Sequence, residues 1–285
     1  MKIRMLLFLL LTATTAATSR GQILISGYMA NPTGTDSPYE YVQLVATGNI
    51  DFSLTPMAVI FANSTATTPA TANGWVQGGS TTYELSLTSG TVSAGQVFYV
   101  GGSGKLIDGS GSTSLSGQTW IRALNTGTTG GDLFGSAASG GVVGNGGGQA
   151  DGIAVFNTTT LTATTVPIDV LFYGSGVGSA SYSSSQGYTL SVNDRYNGGV
   201  LLSSSYLFPD PSGNDFTRLT GTYDTGSSTW TTLRTGTLLS LTASSPVSAI
   251  DSQITVVPVP EPATWALMGL GTLALFGRQQ HNRKS

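Results

Sequence analysis

Catalysis needs side chains that ionise, attack or coordinate, and this 285-residue chain is poor in them: it holds one histidine, His281, and no cysteine. His281 lies close to the C-terminal end, so the body of the chain has no imidazole for a Ser-His-Asp or Cys-His arrangement, and no imidazole or thiolate for a zinc site. The glycine-rich run Gly140–Gly148 lacks both the Lys-Ser/Thr ending and the following helix of a phosphate-cradling loop, and reads as a loop. Paired carboxylates are the remaining option, because glycoside cleavage needs two Asp or Glu at a set separation. The glutamates ahead of the C-terminal tail are Glu40 and Glu84. Glu40 stands between Tyr39 and Tyr41 and could pair with an Asp, while a strand-end carboxylate that satisfies a neighbouring loop is the plainer reading. Asp210-Pro211-Ser212-Gly213-Asn214-Asp215 spaces oxygen ligands in a way that suits calcium, with Asp210 and Asp215 as the weak candidates. It lacks the closing Glu of a 12-residue calcium loop, and an Asp-capped turn accounts for it as well. No catalytic residue, cofactor or other metal is expected. Trp75, Trp120, Tyr182 and Trp230 have flat faces that suit sugar rings, and suit a sandwich core equally.

The elements that carry these residues are short apolar runs set in Gly, Ser and Thr. Strand character is found at Ile23–Tyr28, Tyr39–Ala46, Met57–Ala62, Tyr83–Leu87, Gln96–Val100, Ile153–Asn157, Val166–Tyr173, Tyr188–Val192 and Thr229–Leu233. Turn formers such as Asn31-Pro32, Thr33-Gly34, Asn73-Gly74 and Gly213-Asn214 separate them. No stretch of the body keeps apolar residues at helical spacing for three turns, so the expected fold is all-β, a β-sandwich with long Gly/Ser/Thr-rich loops. Without cysteine, its stability has to come from an ordinary core and from sheet hydrogen bonds.

Both ends read differently from the body. Lys2 and Arg4 precede the Leu- and Phe-rich run Met5–Leu11, and Thr12–Gly21 is small and polar. Such a pattern predicts a secretory signal peptide over 1–21, with cleavage after Ala17 or, preferred, after Gly21. Six of the eleven basic residues (Lys2, Arg4, Arg20, Arg278, Arg283 and Lys284) sit in the two ends. From Gln22 to Pro260 five basic residues face thirteen carboxylates, a net charge of about -8. An acidic surface of this kind has no positive field for phosphate backbones, which argues against nucleic-acid binding.

The C-terminal segment, 256–285, has three parts in order. Pro258, Pro260 and Pro262, with Glu261 between the last two, hold an extended, accessible strip. Ala263–Phe276 is uncharged, and as a helix would reach about 21 Å, short of the ~30 Å hydrocarbon core. Arg278, Arg283 and Lys284 then stop transfer, with the body of the chain outside by the positive-inside rule. An ordinary membrane anchor or a buried apolar helix would share parts of this pattern. The Pro260-Glu261-Pro262 strip, short apolar helix and Arg-rich end together resemble the PEP-CTERM sorting signal of Gram-negative bacteria. That resemblance implies recognition by an exosortase, a membrane cysteine protease, removal of the tail, and delivery to the cell surface or extracellular matrix. It also implies an inner-membrane intermediate and an association with exopolysaccharide.

A second resemblance covers 22–174. Ile23–Tyr28, the Asn31-Pro32-Thr33-Gly34 turn and Glu40-Tyr41-Val42-Gln43-Leu44-Val45 resemble the opening of the lamin-tail domain, and Gly90–Val100 a later strand of it. Gln149–Phe156 and Ile168–Gly174 are similar to that family's closing hairpin. The family's second acidic residue is Gln43 here, and its usual Asn is replaced by Ala46-Thr47. The resemblance implies an immunoglobulin-like sandwich that binds or displays rather than catalyses. Within it, 101–148 would be a long excursion or floppy surface loop, while Val42 and Leu44 alternate in and out with their neighbours. The resulting organisation is a signal peptide (1–21), a β-sandwich domain (22–255) and a sorting signal (256–285). The expected role is that of a structural or adhesive surface protein, exported through the Sec machinery, with glycan or exopolysaccharide as partner. The alternative is a secreted carbohydrate-binding or carbohydrate-cleaving module.

Overall fold

The computed structural model describes residues 21–36, 38–63, 75, 82–124, 142–144, 151–162, 165, 167–174, 196–197, 200–201, 208 and 213–258. The expected signal peptide up to residue 20, the strand expected at Tyr188–Val192, Tyr182, Asp210 and the tail from 259 onward lie outside the described residues.

Fifteen strands are described: β1 (Ile23–Met29), β2 (Tyr41–Ala46), β3 (Ile50–Asp51), β4 (Met57–Ala62), β5 (Thr82–Leu87), β6 (Thr91–Val92), β7 (Val97–Gly102), β8 (Trp120–Leu124), β9 (Asp151–Phe156), β10 (Asp169–Tyr173), β11 (Tyr196–Asn197), β12 (Val200–Leu201), β13 (Asp215–Asp224), β14 (Thr229–Ser240) and β15 (Gln253–Val257). The helical turn among the described residues is a single 3-10 turn, Val247–Ile250. A seven-stranded sheet runs β14-β13-β1-β2-β7-β8 with β15 also on β13, and a four-stranded sheet runs β10-β9-β4-β5. Their inward residues meet in one core: Ile23, Ile25, Val42, Leu44, Phe98 and Val100 from the first sheet, Val59, Phe61, Leu85, Ile153, Val155 and Leu171 from the second. The hairpin expected from 149–156 and 168–174 is formed, with β9 and β10 antiparallel and Leu171 opposite Ile153.

Two expectations need correction. Val42 and Leu44 do alternate with Tyr41, Gln43 and Val45, but all of β2 is buried. Tyr41 belongs to a second core with Met29, Tyr99, Ile107, Leu115, Phe216, Leu241 and Ile250 on the other face of the large sheet. The first half of 101–148 is therefore no floppy excursion. Its loop buries Ile107 and Leu115 over that face, and β8 adds to the sheet parallel to β7. Asp108 fixes the loop by accepting from the Thr33 hydroxyl (2.9 Å) and backbone N–H (3.3 Å). Apolar residues sparse enough to look like linker thus suffice to cover a sheet when the facing strands are rich in Tyr, Trp and Phe.

A bulge in β1 organises one end of the large sheet. Register with β2 shifts between Ile25, opposite Leu44, and Gly27, opposite Gln43, so Ser26 is the extra residue. From Gly27 to Met29, β1 also pairs with β13. Before the bulge it diverges, and β15 takes its place along β13, in parallel, from Thr220–Gln253 to Asp224–Val257. Gly27 lies against the Phe216 ring, with the Thr217 carbonyl 2.9 Å from where a Cβ would stand.

Candidate functional site

Divergence of β1 from β13 strips Ile25 of its ladder partners, and side chains replace them. The Ile25 N–H donates to Asp169 Oδ2 at 2.6 Å, and Arg234 Nη1 donates to the Ile25 carbonyl at 3.4 Å. Arg234 and Asp169 themselves form a two-pronged ion pair, Nη1 to Oδ2 at 2.9 Å and Nη2 to Oδ1 at 2.7 Å, with both side chains shielded from solvent. Nη2 also donates to the Val170 carbonyl at 2.9 Å. Arg234 reaches inward because β14 carries an extra residue here: Thr220 and Thr222 of β13 face Thr235 and Thr232. The guanidinium lies 4.6 Å from the Trp230 ring centroid. Gly221, at φ 155°, leaves room for the stem, since a Cβ would stand 3.1 Å from Arg234 Cγ. This pair joins β14 to β10 across the two sheets, and its chemistry is spent on backbone groups and on itself. Nothing in the strand pattern announced it: Asp169 lies in the expected hairpin strand and Arg234 just past an expected strand, with no sign that they would meet.

Glu40 is the second buried carboxylate of note. Oε2 accepts from the Val142 N–H (2.5 Å) and the Val143 N–H (3.1 Å), while Oε1 is buried with no hydrogen-bond partner. Burial pushes its pKa well above the usual carboxylate range; the two amide bonds pull the other way, and the charges of Asp36 and Asp151 add to the rise. Val142 and Val143 are buried in the central core, and Tyr173 donates its hydroxyl to the Gly144 carbonyl at 2.6 Å. Gly144 has no side chain where the Asp151 carboxyl sits, which lets segment 142–144 close over the site. Glu40 thus clasps a loop, as its place at a strand end suggested.

The two glutamates are not brought together. Tyr83 packs against the central core and has its pKa raised by burial and by the charge of Glu40, so Glu40 lies toward the inner face of β5. Glu84, the next residue, points to the opposite face and accepts from Ser86 Oγ at 2.7 Å. At the calcium candidate, Asp210 lies outside the described residues, and Asp215 Oδ1 accepts from Ser240 Oγ at 2.7 Å across the β13–β14 ladder. Among the described residues no three His, Cys, Asp or Glu side chains gather as a metal site would require. Trp75 and Trp230 are buried, the first against Phe156 and Phe172, the second against Tyr223 and Arg234. Trp120 is half-buried, with Tyr99 stacked on it and the Lys105 ammonium 5.5 Å from its ring centroid. These three rings form no shared platform: they lie in separate parts of the packing.

The junction with the C-terminal segment is sharply drawn. β15 includes Val256 and Val257, so the sheet reaches two residues into the stretch assigned to the sorting signal. The Val257 carbonyl accepts from the Thr225 N–H (3.0 Å) and the Thr225 hydroxyl (2.9 Å), and Pro258, exposed, follows at once. At the other end Gln22, the expected mature start, is the first residue tied into the sheet, its N–H on Thr47 Oγ1 at 2.8 Å. Pro260, Glu261, Pro262, Arg278, Arg283 and Lys284 lie outside the described residues.

Comparison with protein families matches residues 258–284 to the PEP-CTERM protein-sorting motif. The match begins at the residue after the last hydrogen-bonded strand position. No curated protein and no solved structure matches the chain. The motif marks the chain as an exosortase-targeted protein exported to the cell envelope or surface.

Proposed function

We propose that this is a structural or adhesive component of the surface or extracellular matrix of a Gram-negative bacterium, not an enzyme. It leaves the cytoplasm through the Sec machinery on the 1–21 signal, pauses in the inner membrane through 263–276, and is released when an exosortase removes the tail. The body is an immunoglobulin-like sandwich related to the lamin-tail domain, and its partner is a glycan or exopolysaccharide. The observation that carries the reading is the junction: an ordered strand ends at Val257 and the sorting motif starts at 258. A non-catalytic body is supported by how its buried carboxylates are used. Glu40 accepts from the Val142 and Val143 amides, Asp108 from Thr33, and Asp169 from the Ile25 amide and Arg234.

Intact mass of the protein recovered from the surface tests the reading, in hosts with and without an exosortase. The expected species ends near Pro260 only where the protease is present, and Glu261→Ala leaves the tail on. Normal processing of Glu261→Ala, or a full-length tail in both hosts, would overturn it.

A further inference from the structure

We propose that β15 is part of the processing substrate: it must leave β13 and enter the protease's cleft together with the Pro258–Pro262 strip. This rests on the sorting reading. Proteases hold a peptide in extended form over several residues on each side of the scissile bond, often as an added strand. Here the residues immediately upstream of the strip are hydrogen-bonded into a sheet up to Val257, and no linker separates sheet from motif. A cleft cannot close around Val256–Pro260 while the Val257 carbonyl is held by Thr225 and the strand lies flat along β13.

The strand is built to come away. Among the described residues it is the last element and pairs only with β13, through the parallel ladder Thr220–Gln253 to Asp224–Val257. Gln253, Thr255 and Val257 are exposed; Ile254 and Val256, both partly buried, pack against Leu24, Val45, Tyr223 and Trp230, and Ile254 also touches the edge of the central core. When it leaves, β13 keeps its full pairing with β14 and its pairing with β1 over Phe216–Arg218. Groups vacated near Ile25 stay satisfied by Asp169 and Arg234, which do not depend on β15.

Because the chain has no cysteine, a single engineered disulfide tests this cleanly. Thr222 and Thr255 are register partners, so Thr222→Cys/Thr255→Cys in the full chain locks β15 onto β13. The chain is exported in an exosortase-bearing host, the disulfide is verified on a non-reducing gel, and tail removal is followed by pulse-chase beside wild type. The locked chain is expected to lose its tail at least tenfold more slowly than wild type. Reduction is expected to restore the rate, as is a flexible Gly/Ser insert between Val257 and Pro258 in the locked chain. Processing of the locked chain at the wild-type rate overturns the proposal, and so does failure of the insert to rescue it. A wild-type chain that keeps its tail under the same conditions overturns the sorting reading itself.

Discussion

Replacing Arg234 by Met probes the contact that holds the diverging sheet together. Met keeps the unbranched stem beside Trp230 and Gly221 but leaves Asp169 as a buried charge without its partner. It also removes the donor to the Val170 carbonyl and the weaker one to the Ile25 carbonyl. Removing one partner of a buried ion pair costs about 3–5 kcal/mol, most of it the penalty on the charge left behind. The expected loss is about 4 kcal/mol, which at an m-value of about 3 kcal/mol/M lowers the urea midpoint by about 1.3 M. Asp169→Asn in the Arg234→Met background removes that orphaned charge while keeping an oxygen for the Ile25 N–H, so the double variant should recover about 1–2 kcal/mol. Equilibrium urea unfolding of the body, Gln22 to Pro258, by tryptophan fluorescence measures both. An Arg234→Met cost below about 1 kcal/mol, or a double variant with the summed losses of the singles, would refute the reasoning.

Glu40 makes a prediction of opposite sign. Its pKa in the fold is raised above the unfolded value, so its stabilising contribution is complete below the unfolded pKa and fades as pH rises through the folded one. At neutral pH burying the Glu40 carboxyl is therefore a burden, and Glu40→Gln, which keeps an acceptor for Val142 and Val143, should gain about 1–3 kcal/mol at pH 7 and little near pH 4. Loss of stability at pH 7 in the Gln variant would contradict this. Gly27→Ala places a methyl group against the Phe216 ring and the Thr217 carbonyl, and is expected to cost about 1–3 kcal/mol by overpacking, read as a drop in melting temperature. An unchanged melting temperature would show that the bulge has slack.

The all-β class was legible because strand-length apolar runs and turn formers alternate; β1, β2, β4, β5, β7, β9 and β10 fall on such runs, and β14 opens on the expected Thr229–Leu233. What escaped were strands whose apolar side is thin. β13 reads Asp-Phe-Thr-Arg-Leu-Thr-Gly-Thr-Tyr-Asp, and β14 runs on to Ser240 through Thr and Gly, because long ladder pairing and Thr220–Thr235 side-chain contact at 2.6 Å hold them where apolar burial is sparse. β8 and β15 escaped for another reason: each joins its neighbour in parallel, and a parallel partner far along the chain leaves no hairpin signature. The Arg234–Asp169 pair was invisible for a third, since it depends on an irregularity in β14 and a bulge in β1 that the residue types do not announce.

The same bulge accounts for both the buried ion pair and the position of the sorting junction. If β1 ran flat along β13 for its whole length, β13 would have no free flank beyond Arg218, and the chain after Ile250 would have no sheet to join. Divergence at Ser26 opens that flank, and β15 fills it with a ladder of main-chain bonds and two half-buried side chains. The cost of opening it, the unpaired Ile25 amide and carbonyl, is met on the inner side by residues from β10 and β14. The Ile25 amide and carbonyl are thus met without reference to β15, and that strand adds only the partly buried Ile254 and Val256 to the packing. For the proposed removal of the final segment, that division keeps the event at the junction from becoming an event in the core.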